Sequence, residues 1–215
     1  MEALLPLAAE LLPQGGVDVA DVVGVTALWR AAEGGHALAV DRLLAAGAAV
    51  DRAANGGFTP LFMAAMNGHD AVVDRLLVGG AAVDLAKDNG GTPLWKAAEK
   101  GHDAVVARLL AAGAAVDRAK DDGATPLFVA AQNGHDAVVA RLLVGGAAVD
   151  LADDTGFTPL LMAAQEGHDA VVVRLLAAGA AVDLALDGGA TPLYVAAQDG
   201  HGAVLARLLA RRWTW

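Results

Sequence analysis

Apolar residues recur along the chain at the spacing of two short helices, and the pattern is clearest in residues 59–91. Leu61, Ala64 and Ala65 fall on one face of a helix. Thr59 is a favoured N-cap residue, and Pro60 stands at the first helical position, where its missing N–H costs nothing. The pattern therefore predicts a first helix that begins at Pro60.

The rest of this unit predicts a second helix and a long turn. Asn67 and Gly68 end the first helix, and Asp70 opens the second, where the helix dipole favours an acidic residue. Gly80 ends the second helix, and the Gly-, Asp- and Asn-rich residues 81–91 predict an extended turn or hairpin. The buried stripe of the second helix is predicted to consist of Val72, Val73, Leu76 and Leu77.

The unit repeats every 33 residues along nearly the whole chain. Three independent series keep this period: the threonines from Thr26 to Thr191, the histidines from His36 to His201, and the aspartates from Asp18 to Asp183. One helix pair cannot bury its own apolar face, so the units must stack side by side around a continuous core. The sequence predicts an all-α solenoid of thirteen helices, the first belonging to a half repeat.

The repeat resembles that of the ankyrin family, whose pattern is G-x-T-P-L-H-x-A-A-x-x-G-H, then a second helix ending in L-L, then G-A-x-V-D. Here it reads GFTPLFMAAMNGH…RLLVGGAAVD, and the first unit has T-A-L in place of T-P-L. The histidine after T-P-L is replaced throughout, by Trp29, Phe62, Trp95, Phe128, Leu161 and Tyr194. The resemblance implies helix-turn-helix repeats joined by hairpin-like turns, with the first helices lining a concave groove.

The predicted domain is one ankyrin repeat array over residues 1–215. Residues 1–25 are read as an N-terminal half repeat or cap, since Leu4 to Leu12 match only a second helix. Five repeats follow at 26–58, 59–91, 92–124, 125–157 and 158–190, and residues 191–215 form a C-terminal repeat or cap. At least one of Trp213 and Trp215 is expected to fold back over the last repeat as a cap, with a free tail or a contact between two chains as the alternatives; a monomer is the first expectation.

Composition and charge argue against several classes of function. Apolar residues make up 56% of the chain, yet no apolar run reaches the roughly 18 residues of a membrane span. The net charge of −10 is the wrong sign for binding nucleic acid. The chain has neither Ser nor Cys, so it has no Ser or Cys nucleophile and no thiolate metal site. We expect no catalysis, no cofactor and, without a targeting signal, a cytoplasmic location.

The six histidines, the arginines of the second helices and the acidic turns each have a structural interpretation. The histidines come one per repeat, roughly 10 Å apart, so no two can bind the same metal ion. Each is expected to cap and link the two helices of its own repeat. The arginines of the second helices are expected to hold their charge in water, with an anion-binding stripe as the alternative. The acidic turns serve either solubility or the attraction of a basic partner.

Candidate partner-binding residues occupy three slots of the repeat. Trp29, Phe62, Trp95, Phe128 and Tyr194 follow T-P-L or T-A-L, and either pack between repeats or offer aromatic anchors. Phe58 and Phe157 precede the threonine, where large apolar side chains suggest contact sites or packing beneath the hairpin. The variable ends of the first helices contribute Met66, Lys100, Asn133, Glu166 and Asp199.

The resulting functional hypothesis is a non-enzymatic scaffold that binds a partner protein on its concave groove and hairpin tips. The alternative is an engineered or reconstructed repeat scaffold with no natural partner. The absence of Ser and Ile and the near-identity of the units favour that alternative. Irregular substitutions within the framework, such as Lys87 and Leu186 at one hairpin position, argue for a natural sequence.

Overall fold

The computed structural model describes residues 16–212, in which six helix pairs follow one another along the chain. The first helices of the pairs are α1 (Ala27–Glu33), α3 (Pro60–Met66), α5 (Pro93–Lys100), α7 (Pro126–Gln132), α9 (Pro159–Gln165) and α11 (Pro192–Gln198). The second helices are α2 (Ala37–Ala45), α4 (Asp70–Val78), α6 (Asp103–Ala111), α8 (Asp136–Val144), α10 (Asp169–Ala177) and α12 (Gly202–Arg212). The expected helix at Leu4–Leu12 and both tryptophans, Trp213 and Trp215, lie outside the described residues.

The helix-turn-helix repeats joined by hairpins confirm the predicted all-α solenoid. Among residues 16–212 no β-strand forms, and the only isolated β-bridges pair Ala20 with Thr26 and Ala54 with Phe58. No helix in this part of the chain is long and apolar enough to cross a membrane. We number the repeats 1 to 6 from the threonines that begin them, Thr26, Thr59, Thr92, Thr125, Thr158 and Thr191.

These threonines start the first helices as predicted. In each repeat the threonine Oγ1 accepts a hydrogen bond from the N–H three residues later, for example from Phe62 to Thr59 at 3.1 Å. Proline occupies the first helical position in repeats 2 to 6. The cap satisfies one of the N–H groups that a helix start leaves unpaired.

The core is continuous because each first helix packs on the first helices of its neighbours, and each second helix on the neighbouring second helices. The small Ala-Ala pair of each first helix permits this close approach, and Ala97 and Ala98 are completely buried. A fully buried leucine follows each threonine-proline pair in repeats 2 to 5, at Leu61, Leu94, Leu127 and Leu160.

Five of the six histidines, from His69 to His201, join consecutive repeats, which corrects the expectation that they link the two helices of one repeat. Those from His69 to His168 lie at the start of a second helix but make no capping hydrogen bond there. Instead the Nε2–H donates to a carbonyl of the preceding repeat, as from His69 to Glu33 at 3.0 Å and from His135 to Glu99 at 3.0 Å. The same bond is made by His102, His168 and His201.

A glycine makes room for each of these rings. Gly101, in the turn between α5 and α6, has a φ of +75°, and a Cβ there would lie 2.7 Å from Nδ1 of His135 in the next repeat. The glycine and the histidine of the Gly-His pair therefore act together between repeats. The glycine of one repeat leaves space for the histidine ring of the next repeat, and this close contact fixes the distance between the two repeats.

Two further ladders of polar contacts connect the repeats. The carboxylate of Asp84 accepts the backbone N–H of Ala115 in the next repeat, at 3.0 and 3.2 Å, and the other Val-Asp aspartates from Asp18 to Asp150 do the same. On the second helices Arg141 makes a two-pronged bond to Asp103, 2.5 and 2.6 Å long, one repeat earlier. Arg174 and Arg207 pair with Asp136 and Asp169 in the same way.

The ladder arginines keep their charge in water as expected, since the side chain of Arg141 is 40% exposed, and the ladder adds ion pairs to them. At the N-terminal end the ladder shifts, because Ala37 stands where later repeats have an aspartate. Arg75 therefore pairs with Asp41, at 2.9 Å. Arg108 reaches both Asp70 and Asp74. The second helices thus carry paired charges rather than an anion-binding stripe.

A glycine-to-alanine comparison tests this contact between the glycine and the histidine ring. Gly101→Ala should destabilise the chain by about 1 kcal/mol more than Gly113→Ala, because both bear the roughly 1–2 kcal/mol strain of a positive φ but only the first displaces a histidine ring. Gly113 has a φ of +86° and nothing within 4 Å of its Cβ position, which makes it a matched control. Urea unfolding measures the difference, and equal losses would show that the ring contact carries no stability.

The arginine ladder predicts a loss of stability in acid. Hydrogen bonds from Arg141 hold the pKa of Asp103 below its ordinary value, outweighing the opposite effect of burial. Because the folded pKa is the lower one, this stabilisation is present above the unfolded pKa of about 3.9 and disappears as pH falls through the folded pKa.

The urea midpoint of the unmodified chain should therefore decrease as the pH is lowered from about 5 to about 2.5. The decrease should be smaller in Asp103→Asn and in Arg141→Gln, because neither variant has the pair to lose. At pH 7 each variant should lose only about 0.5 kcal/mol, since solvent screens a pair that is more than one-third exposed. An unchanged pH dependence in both variants would contradict this assignment.

Candidate protein-binding groove

An open groove of about 970 Å³ runs across repeats 3 to 5, between the hairpin tips and the first helices α5, α7 and α9. The hairpins form one wall and the C-terminal ends of these helices form the other. The groove brings together six of the residues singled out in the sequence, Trp95, Lys100, Phe128, Asn133, Phe157 and Glu166. Of the twelve candidates, the other six lie elsewhere on the solenoid.

The aromatic slot after T-P-L is mainly part of the core. Its side chains are buried in repeats 1 to 5, at Trp29, Phe62, Trp95, Phe128 and Leu161. Tyr194 in repeat 6 is the exception, with 59% of its surface exposed. Of the two interpretations of this slot, packing between repeats describes the first five members, and Trp95 and Phe128 line the groove although each is only 6% exposed.

Two of these slots also supply a hydrogen bond between repeats. The indole Nε1–H of Trp29 donates to the carbonyl of Phe58, and that of Trp95 donates to the carbonyl of Ala124, both at 2.9 Å. Each bond runs to the residue just before the next repeat's threonine. The tryptophans thereby hold the hairpin against the first helix at the position where the family pattern has histidine.

Phe58 has a packing role that its sequence position did not reveal. Its ring meets Phe62 edge-on, with centroids 5.4 Å apart, and the Lys87 ammonium lies 5.0 Å from the Phe58 centroid. It packs with Met66 and Trp29 in a small cluster separate from the main core. The half-buried Phe58 therefore closes the first hairpin onto repeat 2, as the alternative of packing beneath the hairpin described.

Phe157 is half-buried and lines the groove. Behind it the groove floor contains the nearly buried Val129 and Met162. Tyr194 and Asp199 are exposed on repeat 6, outside the groove. The candidates thus separate into a cluster at repeats 1 and 2, the groove, and two residues at repeat 6.

The groove begins in repeat 3 with a cluster of lysines that sequence reasoning missed. Three of the chain's four lysines, Lys96, Lys100 and Lys120, lie in this repeat, and we call them the lysine end. The ammonium groups of Lys96 and Lys120 lie 5.0 and 5.1 Å from the ring centroid of Trp95. Such cation–π contacts hold both side chains over the indole.

Each lysine of this cluster has a carboxylate close by. Lys96 Nζ lies 2.6 Å from Glu99, Lys100 Nζ lies 3.6 Å from the same carboxylate, and Lys120 Nζ lies 2.6 Å from Asp122. Burial raises the pKa of Asp122, but hydrogen bonds from Lys120 and the Ala124 N–H outweigh it and leave the pKa below its ordinary value. Each ammonium group of the lysine end thus has a carboxylate partner, but three lysines share two carboxylates, so this end has one positive charge in excess.

The far end of the groove is acidic. Asp153, Asp154 and Glu166, which we call the acidic end, form no ion pair within residues 16–212. Asp153 Oδ1 accepts the N–H groups of Thr155 and Phe157, at 3.0 and 2.9 Å, and so fixes the hairpin turn. The sequence shows the acidic turns, but it does not show that lysines pair with the carboxylates in repeat 3 and not in the repeats that follow.

The hairpin wall is a rigid rim, because adjacent tips are hydrogen-bonded to one another. The N–H of Asp121 donates to the carbonyl of Asn89 and that of Asp154 donates to the carbonyl of Asp122, both at 3.1 Å. Two more such bonds join the first three tips, from Asn55 to Val23 and from Asp88 to Gly56. The carboxylates therefore stand at the repeat spacing, roughly 10 Å.

The family model of ankyrin repeats, which describes three copies, matches residues 3–84, 62–150 and 129–212. The chain belongs to the ankyrin repeat family. Ankyrin repeats are generally protein-interaction scaffolds. No curated protein matches this ankyrin repeat chain. Among residues 16–212, no group of three or more His, Asp or Glu side chains could hold a metal ion.

Proposed function

We propose that this ankyrin repeat chain is a non-enzymatic scaffold that binds a partner protein in the groove over repeats 3 to 5, with the hairpin tips as the rim. The observation that carries the proposal is the groove itself. It is open to solvent and lined by both polar and apolar side chains from three consecutive repeats.

The shape of the groove favours a polypeptide over a small molecule. Small ligands are usually enclosed in cavities of roughly 300–1,000 Å³ that cover most of their surface. This groove has a volume at the upper end of that range but is open to solvent along three repeats. A segment of a partner protein can lie along it, with a side chain in each repeat.

Rigidity supports the proposal because it lowers the entropic cost of binding. The lining residues are carried by short helices and stacked hairpins that are fixed by the histidine, aspartate and tryptophan bonds between repeats. A surface that is ordered before binding loses little conformational entropy on binding. Phe157 is the natural anchor, because it is a partly buried aromatic side chain that lines the groove and aromatic residues are enriched among those that dominate binding energy.

The groove also favours binding over catalysis. The chain has no serine or cysteine to act as a nucleophile. At the lysine end the lysines are held by carboxylates and by Trp95, so no free amine stands beside an apolar pocket. These features support a role in recognition alone.

A selection experiment tests the proposed function. A random-peptide library displayed on phage is selected against the immobilised full-length chain, and the affinities of the enriched peptides are measured for two variants. Phe157→Ala should weaken them about tenfold, which corresponds to ~1.4 kcal/mol, whereas the control Val144→Ala should change them less than about twofold. Val144 lies on α8 outside the groove and is 91% exposed.

Circular dichroism of both variants establishes that they remain folded. Peptides that bind both variants equally well would place recognition outside the groove. A library that yields no binding peptide would contradict the proposal and favour the alternative of a repeat scaffold without a natural partner.

A further inference from the structure

The two ends of the groove differ in how their charge is balanced. At the lysine end, Lys96 is paired with Glu99 and Lys120 with Asp122, and both lysines also cover the ring of Trp95. The chain itself thus supplies the cations for the carboxylates of this end.

The corresponding positions one repeat further on contain no cation. Val129 stands where repeat 3 has Lys96, Asn133 where it has Lys100, and Asp153 where it has Lys120. The hairpin position that carries an ammonium group in repeat 3 therefore carries a carboxylate in repeat 4. The acidic end has Asp153, Asp154 and Glu166 and no lysine or arginine along its lining.

An apolar floor lies directly beside these carboxylates. Phe157 is partly buried, lines the same groove and shares a hairpin with Asp153 and Asp154, while Met162 and Val129 complete the floor. Asp154 and Glu166 are themselves exposed, so each is accessible to the side chains of an incoming segment. Carboxylates beside an aromatic surface match a Lys or Arg side chain, whose stem is apolar and whose head is cationic.

We propose that the acidic end of the groove binds a cationic segment of the partner protein, with a Lys or Arg at the carboxylates of Asp153, Asp154 and Glu166 and an apolar side chain against Phe157. This inference rests on the proposed function and adds the chemical class of the partner. The partner's cation would pair with the carboxylates of repeat 4 as Lys120 pairs with Asp122 in repeat 3.

The same arrangement accounts for specificity. An acidic segment at this end would meet three carboxylates and no compensating cation, and like charges brought together disfavour a wrong partner. The lysine end has three lysines against the two carboxylates of Glu99 and Asp122, and its excess positive charge disfavours a cationic segment. A cationic segment is therefore drawn to repeats 4 and 5 in preference to repeat 3.

The test uses two synthetic peptides of about twelve residues, long enough in extended form, at ~3.3 Å per residue, to span the groove. Both carry the same apolar residues, and one has lysine wherever the other has glutamate. Binding to the full-length chain is followed by fluorescence anisotropy. The lysine peptide should bind at least about tenfold more tightly, and its affinity should fall when NaCl is raised from about 50 to about 300 mM.

Two double variants with equal changes in net charge locate the effect. Asp154→Asn/Glu166→Gln should weaken the lysine peptide about tenfold, and Asp187→Asn/Asp199→Asn, in the next hairpin and in repeat 6, less than about twofold. Asp153 is left unchanged because it holds the hairpin turn. Equal weakening by the two variants would show a diffuse attraction by net charge and overturn the inference, as would equal affinity for the two peptides.

The library selection separates the failure of this inference from the failure of the proposed function. Groove-dependent library peptides with an excess of Lys and Arg support both. Groove-dependent peptides without that excess contradict the inference and leave the proposed function standing. If no library peptide depends on Phe157, both are wrong.

Discussion

The structure depends on the contact between one repeat and the next. A helix pair as short as α5 and α6 buries its apolar stripe only against the pairs on either side, so each repeat requires its neighbours. The polar ladders then fix how those neighbours meet. The histidine–carbonyl bond and the aspartate–N–H bond recur once per repeat and leave a single register in which both can form.

A fixed register allows the surface to vary without cost to the fold. The Thr, Gly-His and Val-Asp positions that hold the repeats together keep one residue type, whereas the hairpin and helix-end positions change from Lys120 to Asp153 and from Lys100 to Asn133. Because each change moves one side chain on a rigid frame, adjacent repeats present different chemistry at equivalent places. The groove with its paired lysine end and uncompensated acidic end is the product of that variation.

Much of this architecture was accessible from the sequence, since the period, the Thr-Pro start and the glycine stops are local signals. Contacts between repeats were harder to foresee. The histidine was expected to link the two helices of its own repeat, because the sequence spacing does not show that its ring reaches the helix end of the preceding repeat. Arg141 and Asp103 lie 38 residues apart, and only the stacked helices bring them together. The clustering of Lys96 and Lys120 on Trp95 likewise depends on two segments that meet through the hairpin.

Deletion of residues 59–124 tests most directly whether neighbour contacts alone hold the solenoid together. Repeat 4 would then meet repeat 1 with the groups that repeat 2 uses now: Phe128 for Phe62, His135 for His69 and Arg141 for Arg75. Circular dichroism of the shortened chain should show the same helical signal per residue and a cooperative urea transition at a lower midpoint. A shortened chain without helical signal or without a cooperative transition would contradict the account, because it would show that distant repeats are needed for any pair to form.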